Sequence, residues 1–455
     1  MVFIGFLVTL GLAPLPFASN RPWSWSLLSM IVGLLMLAWA ICAWRDKKMV
    51  AIGWRRVWPF LVMFTVIVCW FILQAGAWTP DAWHHPSWAA AAAALGEPLD
   101  GAISVDPAMT RTAVMRLLSY AGIFWLALQF GRNDHNAKII FWTIAIAGFL
   151  YSIYGMVIEF SGLNMVLWYE RWSYTDSLTS TFINRNSYAT YAGLTLLAVL
   201  GLTFNEFRRG AVGEMLSISG FRWLLEQITG PLGLLLLMAA TIGSALLLTG
   251  SRGGMTSFTV GLLILSLGFV LSPGSRPTVG LIVMAACSLL VAGLMALSGE
   301  FVLSRFDSVT VDAAGRATLY RVVLDAILAD PWVGTGYGTF EVSFPMVRDA
   351  TIATPLLLDK AHNSYLEFAF EAGVPIFALM IGLLGGLVAL CLHGIWKRRE
   401  NRLFPCVGVA AAALVAAHAL VDFSIQIPAV AVVFAALLGV ACAQSLRHRR
   451  SVKEL

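Results

Sequence analysis

Runs of about 20 apolar residues recur along almost the whole chain, and that recurrence leaves few folds open. A helix of that length crosses the roughly 30 Å hydrocarbon layer of a bilayer, and inside lipid only helices or closed barrels satisfy every backbone donor and acceptor. The runs are too long and too continuous for barrel strands, so an all-α polytopic membrane protein is predicted. Spans are expected near 2–18, 23–44, 57–77, 112–130, 138–161, 187–205, 230–249, 254–272, 277–298, 373–393, 403–421 and 425–446, about twelve transmembrane helices in all. Composition agrees: 59% of the 455 residues are hydrophobic and 12% charged, with a mean hydropathy of +0.80, far from an ordinary soluble domain. The segment from Met1 to Ser19 lacks a basic leader and a small-residue cleavage site and runs directly into the next span, so it reads as a span and not as a cleaved signal.

Orientation follows from where the basic residues fall, because cytoplasmic loops retain Lys and Arg. With the N-terminus inside, the inner segments hold nineteen of the 30 basic residues, among them Arg45, Lys47, Lys48, Arg55, Arg56, Arg132, Arg222, Arg276, Lys397, Arg398, Arg399 and Arg449. The outer loops instead collect acids, including Asp81, Glu97, Asp106, Glu170, Asp176, Glu300, Asp330, Glu341 and Asp359. Both termini are therefore expected in the cytoplasm. The formal charge of +5 reflects a basic inner rim facing anionic lipid and gives no reason to invoke nucleic acid. The six cysteines, Cys42, Cys69, Cys287, Cys391, Cys406 and Cys442, lie in or beside apolar spans without a C-x-x-C pair and read as small core hydrophobes.

Three outer loops are long: Trp78 to Arg111, Gly162 to Asn186, and Gly299 to about Ala372. In the first, Ala89 to Ala94 flanked by tryptophans suggests a short interfacial helix. The third, 299–372, is the largest polar feature and reads as a folded cap: helix from Gly315 to Ala329, a stop at Asp330-Pro331, a Gly-rich turn, and a helix opening near Ala361. Neither an internal repeat nor a low-complexity linker divides the chain, so 1–455 is expected to form one membrane domain decorated on its outer face.

Polar residues gather at that outer rim. Thr249-Gly250-Ser251-Arg252-Gly253-Gly254 sits at the junction of two spans, where an arginine is costly without water or an anionic partner. Its glycines allow close backbone approach, and guanidinium is a planar donor fork suited to phosphate oxygens. A structural salt bridge is the other reading of Arg252. Neither this motif nor Gly334-Thr335-Gly336-Tyr337-Gly338 has the G-x-x-x-x-G-K pattern of a nucleotide P-loop. Arg316 and Arg321 lie five residues apart, about 140° around a helix, so one can face the site while the other packs elsewhere. In Ala361-His362-Asn363-Ser364-Tyr365-Leu366-Glu367, an imidazole able to act as a base near neutral pH stands at the outer edge of a span, five positions before a glutamate. A lone histidine is usually structural; three cationic or titratable segments on one face fit an anionic lipid-linked substrate better.

These segments resemble the O-antigen ligase and polymerase superfamily, bacterial membrane glycosyltransferases that act on undecaprenyl-diphosphate-linked glycans. Four stretches carry the resemblance, in order between residues 180 and 375: Ser180-Thr-Phe-Ile-Asn184-Arg185-Asn186-Ser-Tyr-Ala, Thr249 to Gly254, Arg316 through Pro331 to Phe340, and His362 to Glu367 followed by Glu371-Ala-Gly-Val-Pro375. The resemblance implies a type C glycosyltransferase that needs no metal or other cofactor. In it, arginines matching Arg252 and Arg316 bind the lipid diphosphate, and a histidine matching His362 activates the acceptor hydroxyl. Arg321 and Arg185 are further candidates for the diphosphate, Arg185 with an equally good structural reading; Ser251, Asn186, Asn363, Tyr365 and Glu367 are expected to support the site. The segment His418-Ala-Leu-Val-Asp422-Phe-Ser-Ile-Gln426-Ile-Pro428 also looks family-like and is read as helix packing or indirect support. No Asp-x-Asp metal motif occurs in the chain.

The partners so implied are an undecaprenyl-diphosphate-linked glycan donor, an acceptor that is either the lipid A core or another lipid-linked glycan, and membrane lipids. A ligase transferring the finished glycan to the lipid A core at the periplasmic face of the bacterial inner membrane is the leading expectation, with a polymerase of the same superfamily behind it. A relative that modifies protein hydroxyls often carries an extra segment after the last span, and this sequence stops at Leu455. From another class, a transporter would show paired repeats or broken helices around a midplane site. The rim location of the polar residues favours an enzyme.

Overall fold

The computed structural model describes residues 1–209, 230–270, 306–352, 358–397 and 402–446. The expected span 277–298, Cys287, Glu300 and the basic residues Arg222, Arg276, Arg398, Arg399 and Arg449 lie outside the described residues.

The described chain is helical, with a single two-residue antiparallel pair, β1 (Met165–Val166) and β2 (Tyr169–Glu170). In chain order the helices are α1 (Val2–Leu12), α2 (Pro22–Arg45), α3 (Trp58–Gln74), α4 (Pro86–Leu95), α5 (Pro107–Phe130), α6 (Asp134–Phe160), α7 (Arg185–Arg209), α8 (Pro231–Leu248) and α9 (Arg252–Val270). They continue as α10 (Phe306–Ala329), α11 (Phe340–Val347), α12 (Ser364–Ala372), α13 (Val374–Lys397), α14 (Leu403–Ala419) and α15 (Pro428–Ser445). Among the described residues eight helices are long and apolar enough to cross a membrane. A ninth arises if α3 is taken with Lys47–Arg56, from which it turns by 80°.

Two expected spans are shorter as helices. The run 2–18 yields only the 11 residues of α1, because Pro14 and Pro16 cannot continue the hydrogen-bond ladder. Phe17, Ala18 and Ser19 then turn with φ of 53, 55 and 56°, locked by the Ser19 hydroxyl donating to Ala13 O at 2.7 Å. The run 403–421 forms the 17-residue α14.

Local sequence sets the helix starts. Asp106 accepts from Ala108 N and Met109 N at 2.9 Å with Pro107 in the first turn, and Asn133 accepts from His135 N at 2.8 Å. Helices α7 and α15 are buried almost all round and form the middle of the bundle, whereas α2 and α13 present most of their apolar surface outward, as lipid-facing helices would. Small residues let the central helices approach: a Cβ on Gly408 of α14 would meet Ala441 of α15 at 2.2 Å, and one on Gly439 would meet Phe124 O of α5 at 2.6 Å.

The loops sort to two ends. At one end, Gln129 of α5 pairs with both backbone groups of Ile52, and Gln444 donates to Gly131 O at 2.7 Å, joining segments expected on the inner side. At the other end lie the three long loops, the first held to the third and the second to the start of α2. Val105 N donates to Thr335 O at 2.9 Å, and Arg21 lies 4.9 Å over the Trp172 ring. The Ala-rich helix expected in the first loop is α4, which carries no buried residue and stops at Gly96 with φ 72°. In the cap, α10 begins earlier than expected, at Phe306, and ends before Asp330-Pro331 as predicted. The Gly-rich turn is a packing device: Gly336 (φ 107°) lies so close to Ser104 that a Cβ would come within 2.3 Å of its hydroxyl, and Gly338 (φ 85°) packs on Ala113 of α5. Gln74 of α3 clamps the same turn, donating to Val333 O and Glu371 O at 2.7 and 2.9 Å and accepting from Tyr337 N at 3.1 Å.

Candidate active site

Three helices begin beside one another at the end where the long loops lie. Asn184 caps α7 by accepting from Asn186 N at 2.7 Å, Ser251 caps α9 by accepting from Gly254 N at 3.1 Å, and Asn363 caps α12 by accepting from Tyr365 N and Leu366 N at 3.0 and 3.1 Å. Side chains tie the three starts together. The Ser251 hydroxyl donates to Asn186 Oδ1 at 2.7 Å, Asn186 Nδ2 donates to Asp422 Oδ2, and the Ser364 hydroxyl donates to Asp422 O at 2.9 Å. The first turn of each helix leaves backbone N–H groups without intrahelical partners, so this knot gathers three positive helix ends.

Arg185 and Arg252 are the first residues of α7 and α9. Arg185 lies 5.4 Å over the Tyr174 ring, and Arg252 is partly exposed. Arg316 reaches from α10 to the turn after α14, its guanidinium donating to Val421 O at 3.5 Å. The Tyr174 hydroxyl is pushed up by burial and then by the Asp422 charge, while Arg185 and Arg316 both pull it down. Arg321 is elsewhere: its side chain is 83% exposed and points along α10 to Asp325, 3.9 Å away. Of the two arginines five residues apart, Arg316 is thus the one brought to the cluster.

His362 immediately precedes the α12 cap, in the left-handed region at φ 52°, unusual for a residue with a side chain. The Tyr320 hydroxyl holds it there by donating to His362 O at 2.8 Å, and the Phe423 ring packs edgewise 5.3 Å from the imidazole. Nδ1 is buried and stands 3.8 Å from Asp422 Oδ1, while 29% of the side chain is open. Asp422 is almost wholly buried. Burial alone would raise its carboxyl, but the His362 imidazole, His418 and the Phe423 N–H outweigh it and hold the group below the usual carboxylate range.

The expected supporting residues divide by task. Glu367 is buried, pairs with Lys360 at 3.3 Å and accepts from Ala361 N at 2.9 Å, which fixes the chain just before His362. Tyr365 reaches across to donate to Ala416 O at 2.9 Å and anchors α12 on α14. Asn363 acts as the helix cap, and Ser251 and Asn186 form the knot. Two members of the cluster were missing from the sequence-based set. Asp422 lay in a segment read as helix packing or indirect support, and Tyr174 sits in a loop with no motif, marked only by aromatic neighbours Trp168, Tyr169 and Trp172.

Chemically, the arrangement offers an imidazole backed by a carboxylate next to a cationic, donor-rich cluster of helix starts and arginines. Residues 234–381 match the model of the O-Antigen ligase family, a region that includes Arg252, Arg316 and His362. No curated protein sequence matches the chain. The matched family comprises glycosyltransferase-like ligases and polymerases that use lipid-linked glycans, and multiple apolar helices accord with a multi-pass protein of the bacterial inner membrane. Over residues 234–381 the chain is similar to the O-antigen ligase family, and that match supports the O-antigen ligase and polymerase superfamily for it.

Proposed function

We propose that this protein is an O-antigen ligase-type glycosyltransferase, moving a glycan from undecaprenyl diphosphate to a sugar hydroxyl of the lipid A core at the periplasmic face of the membrane, with both termini in the cytoplasm. One observation carries the reading: His362, backed by Asp422 at 3.8 Å, stands at the meeting point of three helix starts among Arg185, Arg252 and Arg316. In this reading His362 removes the proton of the acceptor hydroxyl as its oxygen attacks the anomeric carbon. The bond from that carbon to the diphosphate oxygen breaks, and the leaving group departs as undecaprenyl diphosphate. Negative charge grows on that oxygen in the transition state, where arginines and helix N-termini stabilise it. Asp422 stabilises the imidazolium that forms and orients the ring.

A polymerase would use the same donor chemistry and differ only in receiving the glycan on a second lipid-linked repeat. The experiment supplies purified protein with an undecaprenyl-diphosphate-linked glycan and, separately, lipid A core or a second lipid-linked repeat. Transfer to the core is expected, and ladders on the lipid-linked repeat would assign a polymerase. His362→Ala is expected to lower turnover at least about a hundredfold with unchanged thermal stability. Wild-type turnover in that variant removes the proposed base, and no transfer to either acceptor removes the proposed reaction.

A further inference from the structure

A second cationic feature lies inside a span and takes no part in the cluster around His362. Arg116 and Tyr120 are one turn apart on the same face of α5. Arg116 is nine residues into the helix, about 13 Å below its start at Pro107. Its guanidinium lies 4.9 Å over the Trp25 ring of α2. Beyond that ring it has no hydrogen bond and no carboxylate within salt-bridge distance among the described residues, and its Nε is buried. The Tyr120 hydroxyl is likewise buried without a partner.

The cap supplies a third group. Tyr337 descends from the Gly-rich turn, stacks on Phe71 of α3 with ring centres 4.3 Å apart, and makes no hydrogen bond through its hydroxyl among the described residues. Burial pushes that hydroxyl up to about 12, and Arg116 is the charge that pulls it back. The nearby acids are committed elsewhere. Glu367 is held by Lys360 and Ala361 N, and Glu371 accepts from Phe340 N at 2.9 Å. Arg116 stands four residues inside the outer end of the expected span 112–130, and an arginine there whose Nε is buried without an acceptor is costly unless something anionic meets it. Guanidinium has five N–H donors and no acceptor, and two hydroxyls beside it add more donors, so the matching ligand is anionic and rich in acceptor oxygens. Trp23, Leu27 and Met30 of α2 and Leu118 of α5, on the faces of the two helices turned away from Trp25 and Arg116, are apolar and exposed, as lipid-facing surfaces would be.

We propose that Arg116, Tyr120 and Tyr337 form a second site, which binds the phosphate headgroup of a membrane lipid entering between α2 and α5. Binding there is measurable without any transfer reaction. Native mass spectrometry of the full purified chain, in an Arg185→Gln, Arg316→Gln background that weakens the first cluster, would follow added undecaprenyl phosphate, phosphatidylglycerol, undecaprenol and inorganic phosphate. The expected result is one retained equivalent of a phosphate lipid, held at least about tenfold more weakly when Arg116→Gln is added and less severely weakened by Tyr120→Phe. Preference for undecaprenyl phosphate identifies the glycan carrier as the occupant, and equal retention of phosphatidylglycerol identifies a bulk phospholipid. Retention that is unchanged by Arg116→Gln, undecaprenol held as tightly as its phosphate, or displacement of the lipid by inorganic phosphate would each overturn the proposal. Should Arg116→Gln fail to fold, Tyr120→Phe and Tyr337→Phe keep both rings and carry the same test, with unchanged retention in both overturning it.

Discussion

His362 and Asp422 are 60 residues apart in sequence and 3.8 Å apart in space, and the proposed chemistry depends on that closeness more than on either residue alone. Opposite charges at such a distance interact by about 4 kcal/mol at the effective dielectric of a protein surface, enough to favour imidazolium formation in a transition state. Asp422→Asn keeps the size of the side chain and removes the charge. Turnover is expected to fall about ten- to a hundredfold with KM nearly unchanged, measured by transfer to lipid A core; an equal loss confined to KM would assign Asp422 to substrate binding instead. His362 was legible in the sequence through its company, the arginine-bearing segments on the same outer rim and the resemblance they carry together, since a lone histidine is usually structural. Asp422 was not: an acid in a short turn between two apolar runs looks like any capping residue, and only the fold shows that the turn lies over the α7 and α12 starts. Tyr174 had no signal at all, since it is the tertiary structure that brings the Arg185 guanidinium over its ring.

The Thr249 to Gly254 motif carries the point to the scale of elements: the close backbone approach that its glycines allow is a packing of the α9 start on α7. A Cβ on Gly254 would lie 2.5 Å from Ala189 Cβ of α7, whereas one on Gly253 would meet Val421 at 3.3 Å. Gly254→Ala should therefore push the α9 start away from α7 and loosen the Ser251–Asn186 bond, lowering stability by about 1–3 kcal/mol and cutting transfer, while Gly253→Ala does less of both. Thermal unfolding and turnover of the two variants check the order; a milder effect from Gly254→Ala would contradict the packing. Helix α12 carries a second prediction. Burial, reinforced by the Glu367 charge, raises the Glu371 carboxyl well above the usual range of about 4.5. A carboxyl raised in the native state binds more protons there than in the unfolded state, so stability is greatest below the unfolded value and declines as pH rises through the native one. Wild-type Tm should fall over that window, and Glu371→Gln should flatten the decline while its amide oxygen still accepts from Phe340 N. Parallel pH profiles for the two proteins would show that Glu371 does not titrate there.

For the whole molecule, the sequence is most legible where the physics is least specific. Apolar runs long enough to cross a bilayer must be helices, and eleven of the twelve expected spans coincide with described helices, two of them shortened and one bent at its start. The loops then divide between two ends as the alternation of spans requires: residues near 52, 131 and 444 join at one, and the loops containing Val105, Trp172 and Thr335 lie at the other. A bundle built this way has a parity, and parity converts a charge count into a prediction about sidedness. If the end rich in Lys and Arg is cytoplasmic, every long loop and the His362 cluster face the periplasm, where lipid-linked glycan is assembled onto its acceptor. Single cysteines at exposed positions test this in whole cells with a thiol reagent that cannot cross the inner membrane, in a background lacking the native cysteines. Glu97→Cys in the first long loop and Trp332→Cys in the cap should label from outside, and Lys47→Cys should label only after the membrane is opened. The reverse pattern would place the His362 end in the cytoplasm and remove the proposed reaction's setting while leaving the helix bundle as described. Because the loops of each end hold one another through hydrogen bonds, the Glu97 and Trp332 sites must label together; a split between them would contradict the shared end itself.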